Sequence, residues 1–395
     1  MNYDKYLNRR IREIKPSGIR KFFDVADIYR DVISLGVGEP DFDTPWFARK
    51  AAIDSIRNGN TQYTSNSGLP ALRKAISDYL QDRQQLEYDP QHEIFVTVGA
   101  SEAIDLALRA LLEPGDEVII PEPSYVSYSP LVSLCFGTPV PAVCEAKDNF
   151  ALMPEHLLES ITPRTKALIL PYPNNPTGAI MTREQVQAIA RIAIERDLIV
   201  ISDEIYSELT YGGRHASVAA VDSMRERTIL INGFSKAFAM TGWRVGYVCA
   251  PEPLIRQMLK IHQYAIMCAT TASQYAALSA LNQSFEDRYA SIEQMREEYD
   301  MRRRFLVAQL NRIGLETFEP RGAFYVFPCV SSLGMDGETF ANELLREEHV
   351  AVVPGEAFGA VGKDYVRISY AYSIASLKRA MEKIERFVCR HKANK

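Results

Sequence analysis

The chain has 395 residues, of which 47% are hydrophobic and 24% are charged, and its formal net charge is −5. This length exceeds what one small core needs and predicts about two domains, while the composition excludes a largely disordered chain. The negative charge argues against broad binding to nucleic acid or to an anionic membrane surface.

Cysteine spacing and hydropathy narrow the class of protein further. The six cysteines form no CxxC pair, and none lies near a histidine at metal-ligand spacing, so no metal site is predicted. Residues 1–12 are polar and charged and lack the apolar core of a signal peptide, and no later run could span a bilayer. We therefore expect a cytoplasmic protein.

The first 30 residues predict an arm or a short helix, and a strand follows at 32–35. Gly36 and Gly38 come next and invite a dinucleotide-loop interpretation. However, a third glycine is missing, and an acidic Glu-Pro-Asp string stands where an anion-binding helix should begin, so that interpretation is rejected. Gly38 can still allow the backbone to approach a ligand closely.

Between residues 93 and 249, short apolar strands alternate with amphipathic helices. Strands are predicted at 93–98, 117–120, 166–170, 198–202, 228–231 and 245–249, and helices at 104–112 and 183–196. This alternation predicts an α/β fold whose parallel or mixed sheet is covered on both faces. Ligands of such sheets bind at the carboxyl ends of the strands.

After residue 251 the pattern changes to α+β, which predicts a second, smaller domain. Long helices are predicted at 253–281 and 285–313, then strands at 323–327, 350–353 and 365–369, and helices at 337–348 and 373–390.

Lys236 lies between two of the apolar strands, in largely apolar company. Most lysines are exposed, and on this stretch alone a solvated surface lysine is the favoured interpretation. A lysine kept away from water has a lowered pKa, and its neutral amine is the nucleophile of Schiff-base chemistry. Whether Lys236 is a surface lysine or a Schiff-base lysine depends on whether other parts of the chain supply partners for a cofactor.

Three polar residues follow strands and could serve one cofactor ring. Asp203 ends the strand at 198–202, and Asn175 lies in a turn-rich Pro-Asn-Asn-Pro-Thr-Gly string, so each could be an ordinary turn residue. As a functional group, Asp203 would keep the ring nitrogen of pyridoxal phosphate protonated. Asn175 and Tyr206 could both donate to its phenolic oxygen.

Four further residues suit anionic groups. Ala100 and Ser101 open a helix, where N–H groups and the helix dipole favour a phosphate, although a plain N-cap at Ser101 is the commoner case. Arg244 could contact the same phosphate. Arg367 lies within an apolar strand and predicts either an inward ion pair with a protein acid or a bidentate site for a substrate α-carboxylate.

Together these motifs resemble the class I and II aminotransferases, which are fold type I pyridoxal-phosphate enzymes, over residues 18–370. The similarity rests on Asn-Pro-Thr-Gly at 175–178, Ser-Asp-Glu-Ile-Tyr at 202–206, Ser-Lys at 235–236, Thr-Gly-Trp-Arg at 241–244 and Arg-Ile-Ser at 367–369. Within the family, residues 18–26, 36–45 and 232–244 look most like the archaeal-type aromatic aminotransferases.

The resemblance implies an α/β large domain at 46–284, with a mostly parallel seven-stranded sheet flanked by helices and a bound pyridoxal 5′-phosphate. It further implies a small C-terminal α+β domain at 285–395, and an N-terminal arm with part of the small domain at 1–45.

The same resemblance implies a role for each candidate residue. Lys236 would be the Schiff-base lysine and the base that moves a proton at the substrate. Its neutral form is expected to depend less on burial than on bonding to the cofactor and on nearby Arg244. Asp203 would pair with the ring nitrogen, and Asn175 and Tyr206 with the phenolic oxygen. The substrate carboxylate would bind Gly38, Arg367 and Asn175.

Further cofactor contacts are implied at the phosphate and the ring. Ala100, Ser101 and Arg244 would hold the phosphate. Gly233 stands where many relatives carry a phosphate-binding serine, and Ser235 could compensate. Tyr125 would stack on the ring where the best-known members carry tryptophan, and both residues offer a flat face. Tyr63 would reach the phosphate of the neighbouring subunit in a homodimer.

The implied reaction is ping-pong transfer of an amino group from an L-amino acid, aromatic or broadly apolar, to a 2-oxo acid such as 2-oxoglutarate. Two alternatives stay open. One is another reaction on the same site, a pyridoxal-phosphate-dependent carbon–sulfur β-lyase or a racemase. The other is a non-catalytic or nucleotide-binding α/β protein.

Overall fold

A computed structural model describes residues 1–16 and 31–393. The predicted end of the N-terminal arm, at residues 17–30, lies outside the described residues. The strands are β1 Ile33–Ser34, β2 Ile94–Thr97, β3 Glu117–Glu122, β4 Thr138–Val143, β5 Thr165–Leu170, β6 Ile199–Asp203, β7 Thr228–Gly233, β8 Gly246–Cys249, β9 Tyr325–Val326, β10 Val350–Ala351, β11 Val353–Pro354 and β12 Val366–Ser369.

The α-helices of the described residues are α1 Arg9–Glu13, α2 Trp46–Arg57, α3 Pro70–Gln84, α4 Gly99–Leu111, α5 Tyr128–Leu134, α6 Pro154–Ser160, α7 Arg183–Glu195, α8 Glu252–Ala265, α9 Thr271–Asp287, α10 Ala290–Arg312, α11 Gly337–Glu348 and α12 Ile374–Ala393. None of the described helices is long and apolar enough to cross a membrane.

A seven-stranded sheet in the order β2-β8-β7-β6-β5-β3-β4 forms the centre of the fold. Only β8 runs antiparallel to its neighbours, so the predicted mostly parallel sheet is confirmed. The central strands are buried along nearly their whole length because helices cover both faces. β5, β6 and β7 end side by side, which brings the residues that follow them to one edge of the sheet.

Five elements of the large sheet region are absent from the sequence prediction. They are the helices α2, α3, α5 and α6 and the edge strand β4. The β4 sequence contains two prolines and is exposed at both ends, which an edge strand tolerates but which hides the usual strand pattern.

Both long helices predicted after residue 251 are shorter in the structure. The one predicted at 253–281 is two helices, because Met267 adopts a φ of 75° and the chain breaks between α8 and α9. The one predicted at 285–313 starts later, at Ala290, because Arg288 and Tyr289 both have positive φ. Such backbone angles cannot continue a right-handed helix.

Small sheets organise the C-terminal part of the chain. β11, β12 and β9 form a three-stranded antiparallel sheet, and β1 pairs in parallel with β10. The strand predicted at 350–353 is thus divided between two sheets. The β1–β10 pairing joins the segment before α2 to the C-terminal part, while the domain boundaries at 45/46 and 284/285 stay predictions.

Candidate active site

A cavity of about 820 Å³ lies at the carboxyl ends of the parallel strands. Of the residues that the sequence analysis selected, Tyr63 does not line it: its side chain is 80% exposed elsewhere on the surface. The others all contribute to its wall, namely Gly38, Ala100, Ser101, Tyr125, Asn175, Asp203, Tyr206, Ser235, Lys236, Arg244 and Arg367.

Lys236 follows the end of β7, and its amine projects into this cavity. The Nζ atom donates a hydrogen bond to the carbonyl oxygen of Gly38 at 2.6 Å. Burial lowers the pKa of Lys236 to about 8; Glu39 opposes this effect, and Arg367 and Arg244 add to it. The expectation ranked burial below the combined effect of bonding to the cofactor and of nearby Arg244. In the cofactor-free protein, removal from water is the largest cause of the lowered pKa, and Arg244 is a smaller one.

Asp203, the last residue of β6, is buried in the same wall. Tyr128 donates a hydrogen bond from its hydroxyl to Oδ2 of Asp203 at 2.8 Å, and the backbone N–H of Ile205 donates to Oδ1 at 3.2 Å. Burial raises the pKa of Asp203 despite both bonds. Sequence reasoning missed Tyr128, because a tyrosine at the start of a short helix has the same pattern as an ordinary core residue.

The first turn of α4 and Arg244 form a corner of the cavity that is rich in hydrogen-bond donors. The helix begins at Gly99, earlier than predicted, so Ala100 and Ser101 lie in its first turn, where N–H groups have no acceptor within the helix. Arg244 packs so tightly on Gly99 that a side-chain carbon there would lie 2.6 Å from its Nη2 atom. Arg244 also donates to the carbonyl oxygen of Thr241 at 3.0 Å.

Arg367 also lines the cavity and is 2% exposed. Its guanidinium donates to the side-chain oxygen of Asn175 at 2.8 Å and to the carbonyl oxygen of Gly36. Within residues 1–16 and 31–393 no acid forms an ion pair with it, and its buried Nε atom has no hydrogen-bond partner. A buried cation in this condition is suited to an incoming carboxylate, which favours the substrate-site interpretation over the internal ion pair.

Two tyrosine hydroxyls lie in contact in the cavity wall. The hydroxyl of Tyr206 lies 2.8 Å from that of Tyr325, a residue of β9 that the sequence analysis did not select. The Tyr325 ring also lies against the Arg367 guanidinium, 4.5 Å from ring centre to Cζ. A tyrosine inside an apolar strand gives no signal of its own, so only the folded structure identifies this contact.

Comparison with known proteins identifies the family. Residues 30–384 match the family described as aminotransferase class I and II. The chain is 51% identical over 383 residues to a protein of Bacillus subtilis named putative aminotransferase YugH, covering 97% of this chain and 98% of the relative. It is 46% identical to an aspartate aminotransferase of Pyrococcus abyssi, covering 96% and 97%.

Comparison with solved structures identifies the same family. An aromatic aminotransferase from Pyrococcus horikoshii superimposes with a TM-score of 0.89 at 45% sequence identity, covering 95% of this chain and 99% of that one. The predicted resemblance and the predicted fold are thereby confirmed, and archaeal aspartate and aromatic enzymes are both among the relatives. The chain belongs to the class I and II aminotransferases, a family of pyridoxal-phosphate-dependent enzymes, and it is a transaminase.

Proposed function

We propose that the cavity binds pyridoxal 5′-phosphate and transfers an amino group from an L-amino acid, aromatic or broadly apolar, to a 2-oxo acid such as 2-oxoglutarate. One observation carries the proposal. A lysine amine with a pKa of about 8 shares one cavity with a buried arginine that has no acid partner among the described residues. The first suits a carbonyl of the cofactor, and the second suits the carboxylate of an amino acid.

The donor set supports the fit of the cofactor. Arg244 and the first turn of α4, with Ser235 nearby, would hold a phosphate. Asp203, a buried acid, would pair with a protonated ring nitrogen, and Tyr125 would cover the ring face. Asn175 accepts from Arg367 through its oxygen, which leaves its amide nitrogen for the phenolic oxygen beside the Tyr206 hydroxyl.

The reaction then follows from what these side chains do. When bound, the cofactor withdraws electrons from the substrate α-carbon and makes its C–H bond acidic. Arg367 and the Gly38 backbone hold the carboxylate and so orient that bond. Lys236 would hold the cofactor at rest, and its amine, freed by the incoming substrate amine, would carry the α-proton from the substrate to the former aldehyde carbon of the cofactor. A pKa near 8 leaves a fraction of this amine neutral at neutral pH, as a base requires.

The lining of the cavity supports an aromatic or apolar donor. Besides Arg367, the cations that line it within the described residues are Lys236 and Arg244, both engaged by the cofactor in this proposal. A second substrate carboxylate therefore has no evident partner in one subunit. The assignment of 2-oxoglutarate as the acceptor rests on the resemblance, and the relatives described above include both aspartate and aromatic aminotransferases.

We also propose a cytoplasmic homodimer. Tyr63 is 80% exposed and lies outside its own subunit's cavity, which supports a role at the neighbouring subunit's phosphate. Large apolar side chains are also exposed at Trp46, Ile56 and Tyr264, and burial between two copies would remove them from water.

The Lys236→Ala variant tests the function. It should still bind added pyridoxal phosphate through the phosphate and ring contacts but should lose turnover, because neither covalent attachment nor proton transfer is possible. Absorbance of the dialysed protein and a coupled transamination assay measure the two properties. Lys260→Ala, at an exposed lysine, is the control and should behave as wild type.

Transaminase rates in Lys236→Ala close to those of wild type would contradict the proposal. A panel of amino acids, each tested for changing the absorbance of the loaded enzyme, would identify the donor class. Release of pyruvate and ammonia from cystine without any 2-oxo acid would instead favour the β-lyase alternative.

A further inference from the structure

Tyr325 lies where the cofactor side and the substrate side of the cavity meet. Its side chain is fully buried, and its hydroxyl lies 2.8 Å from the hydroxyl of Tyr206. The face of its ring lies 4.5 Å from the Arg367 guanidinium. One residue thus touches both the group proposed to bind the phenolic oxygen and the group proposed to bind the substrate carboxylate.

The Tyr325 hydroxyl also limits the position of Gly38. A side-chain carbon on Gly38 would lie 2.4 Å from this hydroxyl, which is far inside van der Waals contact. The carbonyl oxygen of Gly38 accepts the hydrogen bond from the Lys236 amine. The hydroxyl therefore packs against the peptide that receives the free lysine and that is proposed to bind substrate.

Counting hydrogens fixes the direction of the bond between the two tyrosines. Each hydroxyl has one hydrogen to donate. If Tyr206 donates to the phenolic oxygen of the cofactor, then Tyr325 must be the donor in the 2.8 Å bond. Burial raises the pKa of both hydroxyls, and the Arg367 cation opposes the rise at each of them, so both stay protonated and each keeps a hydrogen to donate.

We propose that Tyr325 is a positioning residue of the transamination reaction: it donates to Tyr206 and so directs the Tyr206 hydrogen to the cofactor, and its ring holds Arg367 for the substrate carboxylate. The inference rests on the proposed function. A hydroxyl that accepts a hydrogen bond becomes a stronger donor itself, so the effect of Tyr325 reaches the cofactor without direct contact.

The Tyr325→Phe variant removes the hydroxyl and keeps the ring. With a weaker donor at Tyr206, the phenolic oxygen retains more negative charge and holds the neighbouring proton of the bound cofactor more tightly. The pH midpoint of the cofactor absorbance should therefore rise by about 0.2 to 0.5 of a pH unit. Tyr206→Phe should shift it further in the same direction.

Tyr370→Phe is the matched control. Tyr370 is also fully buried and donates its hydroxyl hydrogen to the carbonyl oxygen of Ala323 at 3.1 Å, but it does not line the cavity. Its loss should leave the absorbance midpoint unchanged. A midpoint shift in Tyr370→Phe equal to that in Tyr325→Phe would overturn the proposal, because a general loss of packing would then explain both.

A second variant, Tyr325→Leu, separates the ring from the hydroxyl. Binding of 3-phenylpropionate, a carboxylate that cannot react, should stay within about twofold of wild type in Tyr325→Phe. It should weaken by about 2- to 30-fold in Tyr325→Leu, because the cation–π contact with Arg367 is lost. Equal affinities in the two variants would overturn the role of the ring.

A double-mutant cycle tests the contact with Gly38. Gly38→Ala should weaken 3-phenylpropionate binding strongly when the Tyr325 hydroxyl is present. In the Tyr325→Phe background the nearest remaining atom is the ring carbon Cζ, at 3.5 Å, so the same change should cost measurably less. Additive effects would overturn this part of the proposal.

The absorbance spectrum separates failure of this inference from failure of the proposed function. Wild-type protein that shows no cofactor absorbance after addition of pyridoxal phosphate would refute the function itself. Loaded, active wild type together with a Tyr325→Phe midpoint identical to that of wild type would refute only the role of Tyr325.

Discussion

The end of β6 carries two consecutive carboxylates whose surroundings differ. Asp203 faces the cavity and has one side-chain donor among the described residues, the hydroxyl of Tyr128. Glu204 is fully buried away from the cavity wall, where Ser202 and Ser217 donate to its Oε1 atom at 2.9 and 2.6 Å. His215 lies 3.0 Å from its Oε2 atom, although without hydrogen-bond geometry.

The two environments move the two pKa values in opposite directions. Burial raises the pKa of Asp203, and its few donors do not offset this. Burial also acts on Glu204, but His215 and the two serines outweigh it, so the pKa of Glu204 is lowered. The Asp203 carboxylate therefore lacks a cationic partner in the cofactor-free protein, and a protonated ring nitrogen would supply one. The Glu204 carboxylate already has its partners within the protein and contributes to the stability of the fold.

The largest expected effect separates the two acids by activity. Asp203→Asn should lower kcat/KM of the loaded enzyme by about 10³-fold, roughly 4 kcal/mol, because a neutral amide cannot stabilise a protonated ring nitrogen. Glu204→Gln should stay within about tenfold of wild type per folded molecule. Steady-state kinetics of both variants, corrected for cofactor content, measure the two losses of kcat/KM. Similar losses in the two variants would contradict the different roles assigned to the two acids.

A smaller effect should separate them by stability. His215→Ala removes the imidazole that lies 3.0 Å from Oε2 of Glu204 and leaves the buried carboxylate with the two serines, which should lower the free energy of unfolding by about 2 kcal/mol. Arg214→Ala, at the exposed preceding residue, is the control and should change it little. Urea unfolding of the cofactor-free proteins measures both. A His215→Ala midpoint equal to that of the control would show that the pair does not stabilise the fold.

The contrast between Asp203 and Glu204 also shows which features of the site could be predicted from the sequence. In the string Ser-Asp-Glu the two acids are equivalent, and a resemblance to a family was needed to choose Asp203. What distinguishes them physically comes from distant parts of the chain, since Tyr128 precedes Asp203 by 75 residues and His215 follows Glu204 by 11. Strand ends are predictable from local apolar runs, but the partners that gather there are not.

The same limit applies to the overlooked residues of the site. Lys236, Arg367 and Asn175 could be selected because charged or amide groups are unusual in apolar or turn segments. Tyr325 stood in an apolar strand, where an aromatic residue is the normal core choice. The helix break at Met267 was not predicted for a related reason. Its positive φ depends on tertiary structure, and no glycine or proline at this position indicates it in the sequence.

The smallest predicted effect is a difference of sign in how stability depends on pH. The lowered pKa of Glu204 means that the fold favours its ionised form, so its stabilisation is present above pH 4.5 and is lost as the pH falls through the folded-state value. The raised pKa of Asp203 means that the cofactor-free fold disfavours its ionised form, so its cost is present at neutral pH and disappears as the pH falls towards 3.8.

At pH 7, Glu204→Gln should therefore lower the urea midpoint of the cofactor-free protein and Asp203→Asn should raise it, each by less than the change expected for His215→Ala. Both differences should shrink towards pH 4, and Glu113→Gln, at an exposed acid, should show neither. With pyridoxal phosphate bound, the sign at Asp203 should reverse, because the carboxylate then gains a cationic partner. Urea midpoints at two pH values, with and without cofactor, measure these differences in stability. If Asp203→Asn destabilised the cofactor-free protein, the carboxylate of Asp203 would not lack a partner there.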